Sequence, residues 1–331
     1  MTQPCYDVVA IGNAIVDVIA PAEDAFLAQH ALPKGGMQLI DAATADVLYA
    51  EMGVGQETSG GSAANTLAGL AALGKACGFI GQVADDQLGN IFVHDIKALG
   101  VEYNTPLSNG GEPTARCLVL VTPDAQRTMN TFLDASQHLL ATALDPEMIR
   151  GGGILYLEGY LWDPEEPRRA MRAAIEMARA AGRKIAFTLS DGFVIERHRT
   201  DFMNLIDSGL IDILFSNEAE IQMLAQVHDF EKAVTAIAPK VPVLISTRSE
   251  KGAIAIAHGM RHEVYAAGVE EVVDTTGAGD LFAAGFLAGY IEGQDITQCL
   301  KLGAVCAAEI ISHYGARPEA DLNQLRAHSG L

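Results

Sequence analysis

The chain has 331 residues, 49% of them hydrophobic, 6% aromatic and 19% charged, the balance of a globular protein able to bury a large core. Twenty-two Lys and Arg against 42 Asp and Glu leave a formal net charge of −20, and with no basic stripe to displace counterions this argues against nucleic acid and for small-molecule partners. Cys5, Cys77, Cys117, Cys299 and Cys306 are scattered and suggest neither a disulfide framework nor a zinc site, while the lack of a signal-peptide pattern or an apolar run of ~20 residues predicts a cytoplasmic protein without a membrane span.

Along the chain, β-branched runs predict strands at 6–11, 77–80, 154–157, 185–189, 211–215 and 243–246. Helical patterns at 62–73, 87–99, 167–181, 217–226 and 280–291 alternate with them. This alternation predicts an α/β fold with a mostly parallel central sheet and helices on both faces. Two regions, about 14–42 and 103–134, break the pattern, and there no helices are predicted. Within the second, 114–121 and 128–133 read as an antiparallel hairpin around the turn Thr122-Pro123-Asp124-Ala125-Gln126. No repeat, linker or low-complexity segment divides the chain, so one core domain over 1–331 is the economical organisation.

The chemistry-bearing motifs follow in the same order. Gly12-Asn13-Ala14-Ile15-Val16-Asp17 leaves the first strand, and Gly60-Gly61-Ser62-Ala63-Ala64-Asn65 stands at a helix start. Gly61 lets a substrate approach the backbone, and Asn65, one turn into the helix, offers a donor and an acceptor for hydroxyl groups. The run 69–76 nearly matches a P-loop but lacks the final hydroxyl, and Gly74 reads as a helix C-cap. No G-x-G-x-x-G follows the first strand, which argues against a dinucleotide-dependent enzyme. Arg127 beside the hairpin turn, like Arg116, is either a solvated arginine or one of the few cations available to a phosphate. Phe132 reads as core or interface rather than a stacking partner for a base. Asn217-Glu218-Ala219-Glu220 reads locally as an Asn cap with acidic residues in the first turn. His198 and His313 lack partners at metal or triad spacing and read as structural or surface residues.

The strongest motif is Asp274-Thr275-Thr276-Gly277-Ala278-Gly279-Asp280, followed by the apolar run 281–291. A helix beginning at these glycines points unpaired amides and its dipole at one place, which suits a phosphate. Gly277 and Gly279 keep side chains out of that approach. A carboxylate is a poor ligand for phosphate, so Asp280 suits proton acceptance from an attacking hydroxyl; the alternative is a helix cap and a plain turn. Gly285 and Gly289 predict tight helix packing.

Together these motifs resemble the ribokinase-type (PfkB) family of sugar and nucleoside kinases, over nearly the whole chain from Tyr6 to about Pro318. Residues 274–280 match D-T-x-G-A-G-D, and 60–65 match G-G-x-x-x-N. Residues 217–220 match N-x-x-E, and 12–17 resemble the G-N-x-x-x-D start of adenosine kinases. The resemblance implies a ribokinase-like fold in which the two irregular regions form a small β-sheet lid that excludes water on closure. It implies ATP and Mg2+ as cofactors, with Asn13, Asp17, Gly60, Gly61 and Asn65 on the acceptor substrate and Asp280 as the catalytic base beside the amides of Gly277, Ala278 and Gly279. Asn217, Thr247, Gly252, Thr275 and the lid residue Arg127 are implied at the nucleotide, and Glu220 near the metal, a single carboxylate being enough for a magnesium ion that keeps its waters. Residues 245–252 resemble the T-x-G-x-x-G turn with Ser249 where glycine is usual, and 303–304 with 312–318 resemble the helix and loop closing the nucleotide site. A monovalent-cation site, often for K+, is implied between that loop and the 274–280 turn. Ser62 stands where ribokinases typically carry Lys and adenosine kinases Ser, which favours the 5′-hydroxyl of adenosine or a related nucleoside as acceptor. The alternatives are a ribose- or fructose-like sugar, and a nucleoside-binding regulator without turnover; a monomer and a homodimer are both open.

Overall fold

The computed structural model describes residues 4–124 and 126–331. In chain order the strands are β1 (Tyr6–Ile11), β2 (Ile15–Pro21), β3 (Met37–Leu39), β4 (Gln56–Gly60), β5 (Cys77–Ile80), β6 (Val101–Tyr103) and β7 (Ala115–Val121). They continue with β8 (Arg127–Phe132), β9 (Gly152–Glu158), β10 (Lys184–Thr188), β11 (Ile213–Asn217), β12 (Val243–Thr247), β13 (Ala253–Ala257) and β14 (Met260–Val264). Nine form one sheet in the order β14-β13-β12-β11-β10-β9-β1-β5-β6. From β12 to β6 all neighbours are parallel, and β13 and β14 add an antiparallel edge.

The strand β1 explains why helices cover both faces. Val8, Val9, Ala10 and Ile11 are all fully buried, and successive strand side chains point to opposite faces. Val8 and Ala10 join a core with Leu67, Leu70, Phe282, Phe286 and Leu302, from helices Ser62–Ala72, Ala278–Ile291 and Ile296–Ile310. Val9 and Ile11 join a second core with Ile175, Val194 and Phe202, from helices Glu165–Ala180 and Gly192–Asp207. Each large apolar side chain so buried contributes ~1.5–3 kcal/mol, so such a strand is satisfied only between two helical layers. Gly285 does pack tightly: a Cβ there would stand 2.6 Å from the Leu302 carbonyl oxygen in the next helix. Gly74, at φ 77°, closes helix Ser62–Ala72, with Lys75 N–H on Leu70 O at 3.0 Å. Among the described residues no helix is long and apolar enough to cross a membrane.

The second sheet has the order β3-β8-β7-β2-β4. Its β7–β8 pair is the antiparallel hairpin expected from the sequence, from Arg116 opposite Phe132 to Val121 opposite Arg127; Ala125 of the turn lies outside the described residues. Two expectations are corrected. Region 14–42 contains a helix, Asp24–Gln29, with only Leu27 buried, too short to display an apolar period. The sheet also recruits β4, whose sequence Gln-Glu-Thr-Ser-Gly lacks alternation because it pairs only with β2 at an edge. Phe132 is buried, with the Arg116 guanidinium 5.7 Å from its ring centre. Arg116 also pairs with Asp46, so it is neither solvated nor at the motifs that carry chemistry.

Candidate active site

The 12–17, 60–65 and 274–280 motifs gather where the two sheets meet. The chain passes from β1 to β2 through Gly12-Asn13-Ala14, and from β4 into helix Ser62–Ala72 through Gly61. Gly61 adopts φ 99°, and a Cβ there would lie 2.2 Å from the Asn13 carbonyl oxygen, so only glycine lets the two crossings touch. A Cβ on Gly60 would lie 2.5 Å from Asp17 Oδ2. Asn13, Asp17, Gly60 and Gly61 are thereby brought into one wall.

Asp280 closes that wall from the other side. It lies in the first turn of helix Ala278–Ile291, yet its side chain does not cap the helix. Its Oδ1 accepts from Ser62 Oγ at 2.6 Å and its Oδ2 from Asn65 Nδ2 at 3.0 Å. Burial raises its pKa, and those two hydrogen bonds with the nearby Arg317 charge oppose the rise. Asp17 is pushed up to about 6, first by burial and further by Asp280, against the pull of Arg317 and Arg127. Asn13 and Asn65 are 4% and 5% exposed, and the carboxamide oxygen of each has no hydrogen-bond partner. Two buried acceptors left open are costly unless a ligand's donors fill them.

At the turn, Gly277 has φ 77° and packs on Ala316, whereas a Cβ on the exposed Gly279 would meet nothing within 4 Å. Ala278 N–H reaches Thr275 O at 3.3 Å, and the helical ladder begins with Leu281 N–H on Gly277 O at 2.8 Å. The helix start therefore opens outward over Gly279, with exposed Thr275 at its rim. Asp274 organises the turn: its Oδ1 accepts from Thr276 N–H and Oγ1, and its Oδ2 from Gly315 N–H at 3.1 Å. Arg127, from β8, pairs with Asp274 and donates to Thr276 Oγ1 at 3.2 Å. Its side chain is 9% exposed, so it is no solvated hairpin arginine but the contact between the small sheet and the phosphate-type turn.

Asn217 and Thr247 sit opposite each other at the carboxyl ends of β11 and β12, the edge where open α/β sheets bind ligands. Asn217 and Glu220 form a complete capping box: Asn217 accepts from Glu220 N–H, and both Glu220 oxygens accept from Asn217. Burial lifts Glu220 to about 7, with Asp191 adding to the rise and the Asn217 N–H opposing it. Among the described residues no three His, Cys, Asp or Glu stand together as a metal cage; magnesium carried by a nucleotide is held mainly by phosphates and water and does not need one. Gly252 is required by the fold, since a Cβ at its φ of 85° would stand 2.0 Å from Val264 O. Ser249 itself takes φ 51°, accommodating the left-handed turn without glycine.

Several site residues escaped the sequence reading. Fully buried Glu158, at the end of β9, accepts from Asn13 N–H at 2.6 Å, Asn13 Nδ2 at 2.7 Å and Ala63 N–H at 2.8 Å. Burial lifts it to about 7 against those bonds. Its only sequence signal was a carboxylate ending the apolar run 154–157. Tyr160 is raised by burial and then by the charges of Asp191, Asp280, Glu220 and Glu158, and its ring centre lies 6.0 Å from that of Phe193. His198 and His313 do have partners, Asp163 Oδ1 at 2.9 Å and Glu309 Oε1 at 3.1 Å. Asp163 is remote in sequence, while Glu309 is four residues from His313, in the last turn of the preceding helix.

This sheet, its glycine turn and the carboxylate beside it define a ribokinase-like α/β kinase. The family model described as pfkB family carbohydrate kinase matches residues 7–322, and the chain belongs to that family as an ATP-dependent phosphotransferase. A probable sugar kinase from Rhizobium etli CFN 42 is 43% identical, with 99% of each chain covered and a TM-score of 0.91. An adenosine kinase from Sinorhizobium meliloti is 44% identical, covering 98% of this chain and 99% of its own, with a TM-score of 0.90. Fructokinase-1 of Oryza sativa subsp. japonica is 27% identical over 86% of this chain and 92% of its own.

Proposed function

We propose that the chain transfers the γ-phosphate of ATP to the 5′-hydroxyl of adenosine or a related nucleoside. The observation that carries this reading is the pair of open, buried carboxamide oxygens of Asn13 and Asn65, on the chain crossings that also bring Asp17 and Asp280 together. Ribose 2′- and 3′-hydroxyls are donors suited to Asn13 and Asp17, which leaves the 5′-hydroxyl for Asp280. Asp280 takes the hydroxyl proton as the oxygen–phosphorus bond forms and the bond to ADP breaks. Ser62 and Asn65 hold its carboxylate for that step. The open helix start at Gly277 to Gly279 receives charge on the phosphoryl oxygens, and Arg127 is close enough to the same turn to add a positive charge. Magnesium, when bound with ATP, neutralises phosphate charge; Glu220 would reach it through water, with Asn217, Thr247 and Thr275 along the nucleotide. The small sheet acts as the lid.

A sugar acceptor is the second reading, favoured by the similarity to the probable sugar kinase and to fructokinase-1. ADP release with Mg·ATP against adenosine, inosine, guanosine, cytidine, ribose and fructose separates the two. Adenosine is expected to give the highest kcat/KM, and preference for ribose or fructose would replace the nucleoside reading. Binding without turnover across the panel would instead point to a regulator.

The Asp17 titration makes a pH prediction. Its folded pKa is raised to about 6, so below that pH it carries a proton and loses an acceptor for hydroxyl donors. Acceptor KM is expected to rise by about tenfold per pH unit below 6. Asp17→Asn should have a high KM at neutral pH and a flat profile; an unchanged profile in that variant assigns the titration elsewhere.

A further inference from the structure

The charge of Arg317 acts against the raised pKa of Asp280, and its geometry links both halves of the site. Its Nε donates to Ser59 O at 2.9 Å, its Nη2 to Ser59 Oγ at 3.1 Å and its Nη1 to Ala64 O at 2.6 Å. The guanidinium thus straddles Gly60 to Ala63, fixing both ends of the loop that carries Gly61 and leads into Asn65. Two residues earlier, Gly315 N–H bonds Asp274 Oδ2, and Ala316 fills the space beside Gly277. One three-residue segment therefore touches the acceptor loop and the phosphate turn at once.

We propose that Arg317 is a positioning residue that holds the acceptor loop in register with the phosphate turn and balances the charge of the two carboxylates between them. All three acceptors of its hydrogen bonds are neutral, so its charge is not cancelled at contact and acts on Asp17, Asp280 and Asp95. The surroundings of Asp280 otherwise offer little relief. Asp17 faces it from β2, Glu158 and Tyr156 from β9, Tyr160 from the loop beyond, and the uncharged Ser62 and Asn65 from helix Ser62–Ala72. Asp17 is faced by Arg127 from β8 and Cys117 from β7 as well as by Arg317 and Asp280. Burial depresses Arg317 itself to about 10, so it stays charged at neutral pH. The role rests on the reading of Asp280 as proton acceptor.

The test is the pH dependence of kcat/KM for the best acceptor of the panel, from about pH 5 to 9, with thermal melts as a folding check. In Arg317→Gln the charge is lost, and the acid limb is expected to move up by about one pH unit. In Arg317→Lys the charge stays but the fork to Ser59 and Ala64 is lost. There the acid limb should stay in place while acceptor KM rises about tenfold with ATP KM unchanged. An unmoved limb in Arg317→Gln, a limb displaced as far in Arg317→Lys, or a wild-type acceptor KM in Arg317→Lys overturns the proposal. If Arg317→Gln does not fold, the Arg317→Lys limb and KM still decide it. Asp280→Asn in the same assay separates the two readings: retained turnover there removes the base assignment, whereas its loss beside an unmoved Arg317→Gln limb removes only the role of Arg317.

Discussion

Asp280→Asn is expected to fold like the parent chain and to lose about 10³-fold in kcat, within the 10²–10⁴ span of general base catalysis, measured as ADP release at saturating acceptor and ATP. The asparagine is nearly isosteric and retains one acceptor for Ser62 or Asn65, so only one of two hydrogen bonds is at stake. Losing it costs about 0.5–1.5 kcal/mol, and removing a carboxylate that burial already disfavours offsets part of this. It cannot take up the hydroxyl proton. The sequence had left open a capping role, for which removal would cost about 1 kcal/mol of stability and no kcat. In the fold the carboxylate binds Ser62 and Asn65 and makes no cap bond. An Asp280→Asn variant that turns over at nearly the parent rate would refute the base assignment outright.

Gly61→Ala should be the most damaging single-methyl change in the acceptor wall. Alanine at φ 99° leaves the favoured backbone regions, at about 1–3 kcal/mol. Its Cβ would in addition meet the Asn13 carbonyl oxygen at 2.2 Å, and such overpacking adds about 1–3 kcal/mol unless the backbones separate. The Cβ is fixed by its own backbone and its partner is a main-chain carbonyl, so no rotamer change relieves the contact. Separation would carry Asn13 and Asn65 apart, and their open acceptors with them. The expected outcome is a loss of about 2–6 kcal/mol in urea unfolding, the sum of those two costs, or a smaller loss with acceptor KM raised at least tenfold. Stability and KM both at parent values would mean that Gly61 is not tightly opposed to Asn13.

Much of the frame was legible because its signals are local. The run Val8 to Ile11 has no polar position, which already required a strand covered on both faces. The hairpin announced itself by strand-like runs on either side of a Pro-Asp turn, and the 274–280 turn by glycines before an apolar helix. What failed was equally physical. Helix Asp24–Gln29 buries a single side chain, and β4 is a polar edge strand, so neither carries a hydrophobic period to read.

For the site, the chemical inventory could be read along the chain: a phosphate-type turn, a carboxylate after it, and two asparagines and an aspartate near strand and helix ends. Which of them meet follows from the fold. Ser62, singled out as a mark of substrate type, turns out to hold Asp280 across 218 positions of sequence. Glu158 ties Asn13 to the helix at Ala63, and Arg317 reaches Ser59 over 258 residues. Such partners leave no local trace, because a hydrogen bond constrains distance and direction in space while composition and periodicity report only what neighbours along the chain bury.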